Sequence, residues 1–91
     1  MKILLYFDWA GTRKDLAEHD AKMQAAAKDT GLTYLGIFGS MNQKWNYVYM
    51  FESKSYDDFM AMARKVPRPA HMTHYITELL IPATLPKLDA P

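Results

Sequence analysis

Ninety-one residues are enough for one domain and too few for two. Eleven basic against ten acidic residues leave a net charge of +1, which offers no electrostatic footprint for nucleic acid or an anionic membrane. The absence of cysteine excludes disulfides, thiolate metal ligands and cysteine nucleophiles, and it leans toward a reducing compartment.

The opening segment reaches a carboxylate at Asp8, too soon for the apolar region of a signal peptide. No apolar run approaches the ~20 residues a bilayer span needs, so a soluble cytoplasmic protein with no membrane partner is expected. Residues 2–9 alternate, with Ile3, Leu5, Phe7 and Trp9 on one side and Leu4, Tyr6 and Asp8 on the other, and this predicts a strand. Ala10-Gly11 ends it. Thr12 followed by Asp15 is a capping-box pattern, opening a helix to about Asp29. Its apolar stripe takes Leu16, Met23 and Ala27, and His19, between Glu18 and Asp20, reads as an exposed histidine. Gly31 stops the helix.

Two strands at 32–39 and 45–52 follow, joined by Ser40-Met41-Asn42-Gln43-Lys44 as a hairpin. The second is the most aromatic stretch of the chain, and either Val48 and Met50 or the row Trp45-Tyr47-Tyr49-Phe51 faces away from the helices. Ser55 with Asp58 repeats the capping pattern, and Phe59, Met62, Ala63 and Val66 line the apolar side of a second helix ended by Pro67 and Pro69. A last strand spans roughly Met72 to Ile81, with Met72, Ile76 and Leu80 opposed to Tyr75, Leu79 and Ile81. The domain therefore covers 1–82, and residues 83–91 form a proline-rich tail that drapes over a neighbouring subunit or stays mobile.

This order predicts an α+β class fold, a ferredoxin-like β-α-β-β-α-β sandwich with a four-stranded antiparallel sheet and both helices on one face. The central strands are apolar on both sides, while the chain supplies helices for only one. A domain this small buries only about 60–65% of its unfolded surface and gains from a partner. A second copy is the simplest cover, so a homodimer closed sheet to sheet is expected.

Ionisable residues on strands are the unusual ones: Asp8 near the end of the first, and His74 and Glu78 on the last. His71 and His74, three apart on a strand, point to opposite faces and cannot chelate, and His74 and Glu78 lie about 13 Å apart at ~3.3 Å per residue. No metal site and no cofactor are expected. The third strand approximates the RNA-recognition motif, but Asn46 and Val48 stand where its stacking aromatics belong, so no nucleic-acid partner is expected. What remains is a pocket between sheet and helices for a small, flat, apolar aromatic molecule. Asp8 and His74 are the candidate proton acceptors, and Tyr6, Trp45, Tyr47 and Glu78 the candidate substrate-binding residues; strand register decides which of them share one cavity.

The aromatic first strand ILLYFDW, the segment KWNYVYMFE, the helix opening SYDDF and the last strand HYITELLI resemble the dimeric α+β barrel superfamily over Lys2 to about Pro82. That superfamily includes cofactor-independent antibiotic-biosynthesis monooxygenases, cyclases, isomerases and haem enzymes, and the size is most similar to the small monooxygenase-like members. In those, a polar residue near the end of the first strand and a Trp on the third support oxidation; Asp8 and Trp45 occupy comparable places, with Asp8 where Asn is usual. The MKILLYFDW opening and layout also resemble the HapK/PigK proteins of prodigiosin biosynthesis, which implies a bipyrrole-type intermediate. Two functions follow as expectations: a monooxygenase-like enzyme of secondary metabolism, or a non-catalytic accessory protein that binds a pathway intermediate or a partner enzyme.

Overall fold

The first helix begins where its capping box closes. In the computed structural model, which describes residues 1–40 and 44–88, the Asp15 N–H donates to Thr12 Oγ1 at 3.0 Å and the Thr12 N–H donates to Asp15 Oδ2 at 3.2 Å. The helix, α1, runs Arg13–Asp29. It ends in a Schellman turn: Leu32 N–H reaches back to the Ala27 carbonyl at 3.0 Å, and Gly31 takes the left-handed conformation at φ 77°. The second helix, α2, spans Tyr56–Lys65, with Ser55 Oγ accepting from the Asp58 N–H at 3.2 Å. Asp57 and Asp58 occupy its first turn and Arg64 and Lys65 its last, each complementing the helix dipole.

The strands are β1 (Lys2–Trp9), β2 (Thr33–Gly39), β3 (Tyr47–Glu52) and β4 (Met72–Leu80), and the element order is β-α-β-β-α-β. They form one antiparallel sheet in the order β2-β3-β1-β4, so the expected α+β ferredoxin-like architecture is present. Met41-Asn42-Gln43, in the predicted hairpin connection, and the last three residues of the tail lie outside the described residues. Among the described residues, regular secondary structure ends at Leu80, and beyond it Leu85 and Leu88 are exposed.

Strand β1 lies in the middle of the molecule and sets the two faces. Ile3, Leu5 and Phe7 point toward the helices and are buried with Leu16, Met23, Phe59 and Met62. The register pairs Leu5 with Tyr49 and Ile3 with Phe51, so the aromatic row of β3 joins this inner face. Of the two orientations open to β3, the chain adopts the one in which Val48 and Met50 face outward. Ala26 and Ala27 of α1 belong to the same buried cluster as Tyr49 and Phe51 of β3. Phe7, Tyr49 and Phe51 form a stacked series with centroids 5.3 and 5.8 Å apart, continued by Phe59 at 6.0 Å.

One strand departs from simple alternation. The β1–β4 register pairs Asp8 with His74 but Trp9 with Met72, leaving Thr73 as an extra residue in a bulge. The expected row Met72, Ile76, Leu80 is thereby broken: Met72 turns into the core while Ile76 and Leu80 stay on the outer face. That outer face, turned away from both helices, also carries the buried Leu4 and the part-exposed Tyr6, Val48 and Met50. Ile76 is 44% exposed, Leu80 45%, and Phe38, opposite Val48, 47%. Among the described residues no helix is long and apolar enough to cross a membrane.

Candidate functional site

Of the six residues singled out from the sequence, Tyr6, Asp8, His74 and Glu78 lie on the outer face of the sheet, Tyr47 on the inner face, and Trp45 before β3. Asp8 and His74 are cross-strand partners on the outer face, with His74 Nδ1 3.8 Å from Asp8 Oδ2. The other Asp8 oxygen accepts from the Asn46 N–H at 3.1 Å, and Asn46 Oδ1 accepts from the Trp9 N–H at 3.4 Å. This reciprocal clamp ties the end of β1 to the chain entering β3. The His74 side chain is 74% exposed, and an ion pair with Asp8 would require a protonated imidazole and be screened by solvent.

Tyr6 lies on the same face, between Val48 and Ile76, and Glu78 lies opposite Leu4. Tyr47 is on the other side. Its ring stacks on Phe7 at 5.7 Å and borders a shallow hollow with Arg13, Leu16, Asp20 and Ile37. Trp45 precedes β3, and the Lys44 ammonium sits 5.4 Å from its ring centroid. The structure therefore brings Asp8 and His74 into contact and keeps Tyr6 nearby. It does not gather all six in one pocket between sheet and helices.

Between the sheet and the two helices there is a cavity of about 280 Å³. Leu5, His19, Met23, Phe59, Met62 and Met72 form its buried part, and Tyr56, Arg68 and Tyr75 stand exposed at its mouth. The Arg68 guanidinium lies 4.9 Å from the centroid of the Tyr75 ring. None of the six sequence-selected residues lines this cavity.

His19 is the residue that the sequence reading misplaced. It is 7% exposed, not on the solvent side of α1. Leu16, His19 and Met23 stand at i, i+3 and i+7, the spacing of a single helix face, and that spacing was the signal that could have found it. The imidazole stacks on the Trp9 indole (5.5 Å, 27°) and meets the Tyr49 ring edge-on at 6.1 Å. Its Nε2 is buried with no hydrogen-bond partner among the described residues. Burial lowers the His19 pKa, Asp20 opposes that shift and Lys22 reinforces it.

Trp9 is held from several sides. Its Nε1–H donates to the Thr12 carbonyl at 3.0 Å, and its ring also lies against His71 at 5.3 Å. The Ala10 N–H donates to the His71 carbonyl at 2.8 Å, and Asp15 Oδ2 is 3.7 Å from His71 Nε2. Hydrogen bonds from Thr12 hold the Asp15 carboxyl below its ordinary value, with His71 adding a smaller effect. A Cβ at Gly11 would stand 2.7 Å from the His71 ring, so a larger residue there would force that ring to move.

Beyond the cavity, the Tyr34 hydroxyl donates to Asp20 Oδ1 at 2.6 Å, and Gln24 donates to Asp20 Oδ2 at 2.8 Å. Burial first, and Asp20 second, raise both the Tyr34 and Tyr49 pKa values. The Tyr49 hydroxyl meets no hydrogen-bond geometry among the described residues, although the Asp20 carboxylate is near enough to raise its pKa. No cluster of three or more His, Asp or Glu side chains able to hold a metal ion occurs among the described residues. No family model matches the chain, and no curated protein matches it.

Proposed function

We propose that this chain is a small binding protein of secondary metabolism that takes a flat, largely apolar aromatic molecule between its helices and its sheet. The resemblance to the HapK/PigK proteins implies a bipyrrole-type intermediate of prodigiosin biosynthesis as that molecule. The observation that carries the reading is the cavity, walled by Leu5, Met23, Phe59, Met62 and Met72. Its size falls just below the roughly 300–1,000 Å³ common for ligand sites, which suits a guest of one or two rings. Unbranched, polarisable Met side chains adapt to such a guest and pack on its ring edges.

The same reading makes the protein a homodimer. The outer sheet face presents the part-exposed Tyr6, Val48 and Met50 and the exposed Ile76 beside the buried Leu4, and a second copy covers this face by two-fold closure.

The second reading is a cofactor-independent, monooxygenase-like enzyme, and the observation favouring it is the approach of His74 to Asp8 at 3.8 Å. In that reading one of the two accepts a proton from a substrate ring lying against Tyr6. The binding role is preferred because this pair lies across the sheet from the cavity.

Calorimetric titration with a methoxybipyrrole carbaldehyde tests both. The binding role predicts saturable binding without turnover, lost when Ala63→Phe fills the cavity. Turnover that disappears in Asp8→Asn while the variant stays folded would favour the enzyme, and absence of any binding would overturn both readings.

A further inference from the structure

The inside and the mouth of the cavity between sheet and helices differ in chemistry. Leu5, Met23, Phe59, Met62 and Met72 wall the inside, while the mouth carries Arg68, an exposed guanidinium that no ordinary pH neutralises. Among the described residues no Asp or Glu lines the cavity. Arg68 is also held in place. It stands between Pro67 and Pro69, which restrict the backbone on both sides, and the Pro69 carbonyl accepts from the Met72 N–H at 3.1 Å. Its guanidinium lies over the Tyr75 ring at 4.9 Å, a contact that uses the charge and none of the five N–H donors. Nearby Lys65 reaches Asp29 at 3.9 Å, but among the described residues no carboxylate pairs with Arg68. A restrained cation with free donors beside an apolar cavity is suited to a ligand that is apolar at one end and an oxygen acceptor at the other.

We propose that Arg68 binds an oxygen acceptor at the edge of the aromatic guest, a carboxylate in preference to a neutral carbonyl, while the ring enters the cavity. This rests on the binding role proposed above and names the polar group of its ligand. A carboxylate left at the mouth keeps part of its hydration, so its charge does not enter the methionine-lined interior. The planar fork of the guanidinium matches its two oxygens, and a charged acceptor makes the stronger bond. The formyl oxygen of a bipyrrole carbaldehyde is a neutral acceptor of the same kind and binds there more weakly. An ammonium on the ring meets a like charge and is disfavoured.

The test compares 2-naphthoate with 2-acetylnaphthalene, probes of the same ring and nearly the same shape, one anionic and one neutral. The Met23, Met62 and Met72 methyl resonances report occupancy, and the Arg68 side-chain ¹⁵N resonance reports contact. Naphthoate is expected to shift both sets and to bind about tenfold more tightly at low salt, a preference that narrows as salt rises. In Arg68→Gln naphthoate affinity should fall to about that of acetylnaphthalene. Arg64→Gln, at an exposed position outside the cavity lining, should leave both affinities unchanged. Equal affinity for the two probes would overturn the assignment, as would a naphthoate preference that survives Arg68→Gln or falls as far in Arg64→Gln. Naphthoate that shifts Arg68 but not the methyls, while acetylnaphthalene moves them, would reduce the contact to surface ion pairing and overturn it too. Should Arg68→Gln not fold, the ¹⁵N and salt comparisons in the unmodified protein decide. Failure of both probes to move any of the three methyls would instead contradict the binding role itself.

Discussion

The imidazole of His19 lies 5.5 Å from the indole of Trp9 with the two planes 27° apart, joining the middle of α1 to the last residue of β1. This contact places a titratable group inside the helix–sheet interface, and burial is the main reason its proton affinity is lowered.

The stability of the fold should therefore decline on acidification. Above the ordinary histidine value of 6.5 the imidazole is neutral in both folded and unfolded chains and contributes nothing to the pH dependence. As the pH falls through 6.5, the unfolded chain takes up a proton that the folded chain resists, so stability drops until the lowered folded value is reached. The slope from this group is at most about 1.4 kcal/mol per pH unit. Urea unfolding at pH 7.5 and pH 5.0 should show a larger loss for the unmodified protein than for His19→Phe; equal losses would mean that His19 is not the buried group responsible.

The Asp8 clamp predicts a contrast between two substitutions. Asp8→Asn keeps the oxygen that accepts from the Asn46 N–H and should change stability by no more than about 0.5 kcal/mol. Asp8→Ala removes it and should cost about 0.5–1.5 kcal/mol. Thermal or chemical denaturation distinguishes them, and identical losses would show that the carboxylate is not fastening β1 to the start of β3.

Much of this fold was legible because local chemistry and periodicity agree. Thr12 with Asp15 and Ser55 with Asp58 mark the helix starts, and Gly31 marks a helix end, each by a hydrogen bond or backbone angle that only a few residue types provide. The faces were harder. The aromatic row of β3 could point either way until its pairing with β1 was known, and a single extra residue at Thr73 moved Met72 from the outer row to the core. The candidate site suffered from the same gap: Tyr47 and Tyr6 are alike in sequence terms and end on opposite sides of the sheet. His19 was hidden by charged neighbours at 18 and 20, which obscured its helical spacing from Leu16 and Met23.

The outer face, turned away from both helices, predicts an oligomeric state. Light-scattering mass measured across micromolar concentrations should correspond to two chains, and Ile76→Glu, which places a carboxylate in the middle of that face, should shift it toward one. A single-chain mass for the unmodified protein would remove the homodimer from the account.

The central claim concerns where an aromatic guest goes, and the methionines report it directly. Met23, Met60, Met62 and Met72 line the cavity, while Met50 lies on the outer face. With ¹³C-methyl methionine incorporated, titration with the methoxybipyrrole carbaldehyde should shift the four cavity methyls and leave Met50 in place. Shifts confined to Met50, or none at any of the five, would contradict a ligand site between the helices and the sheet.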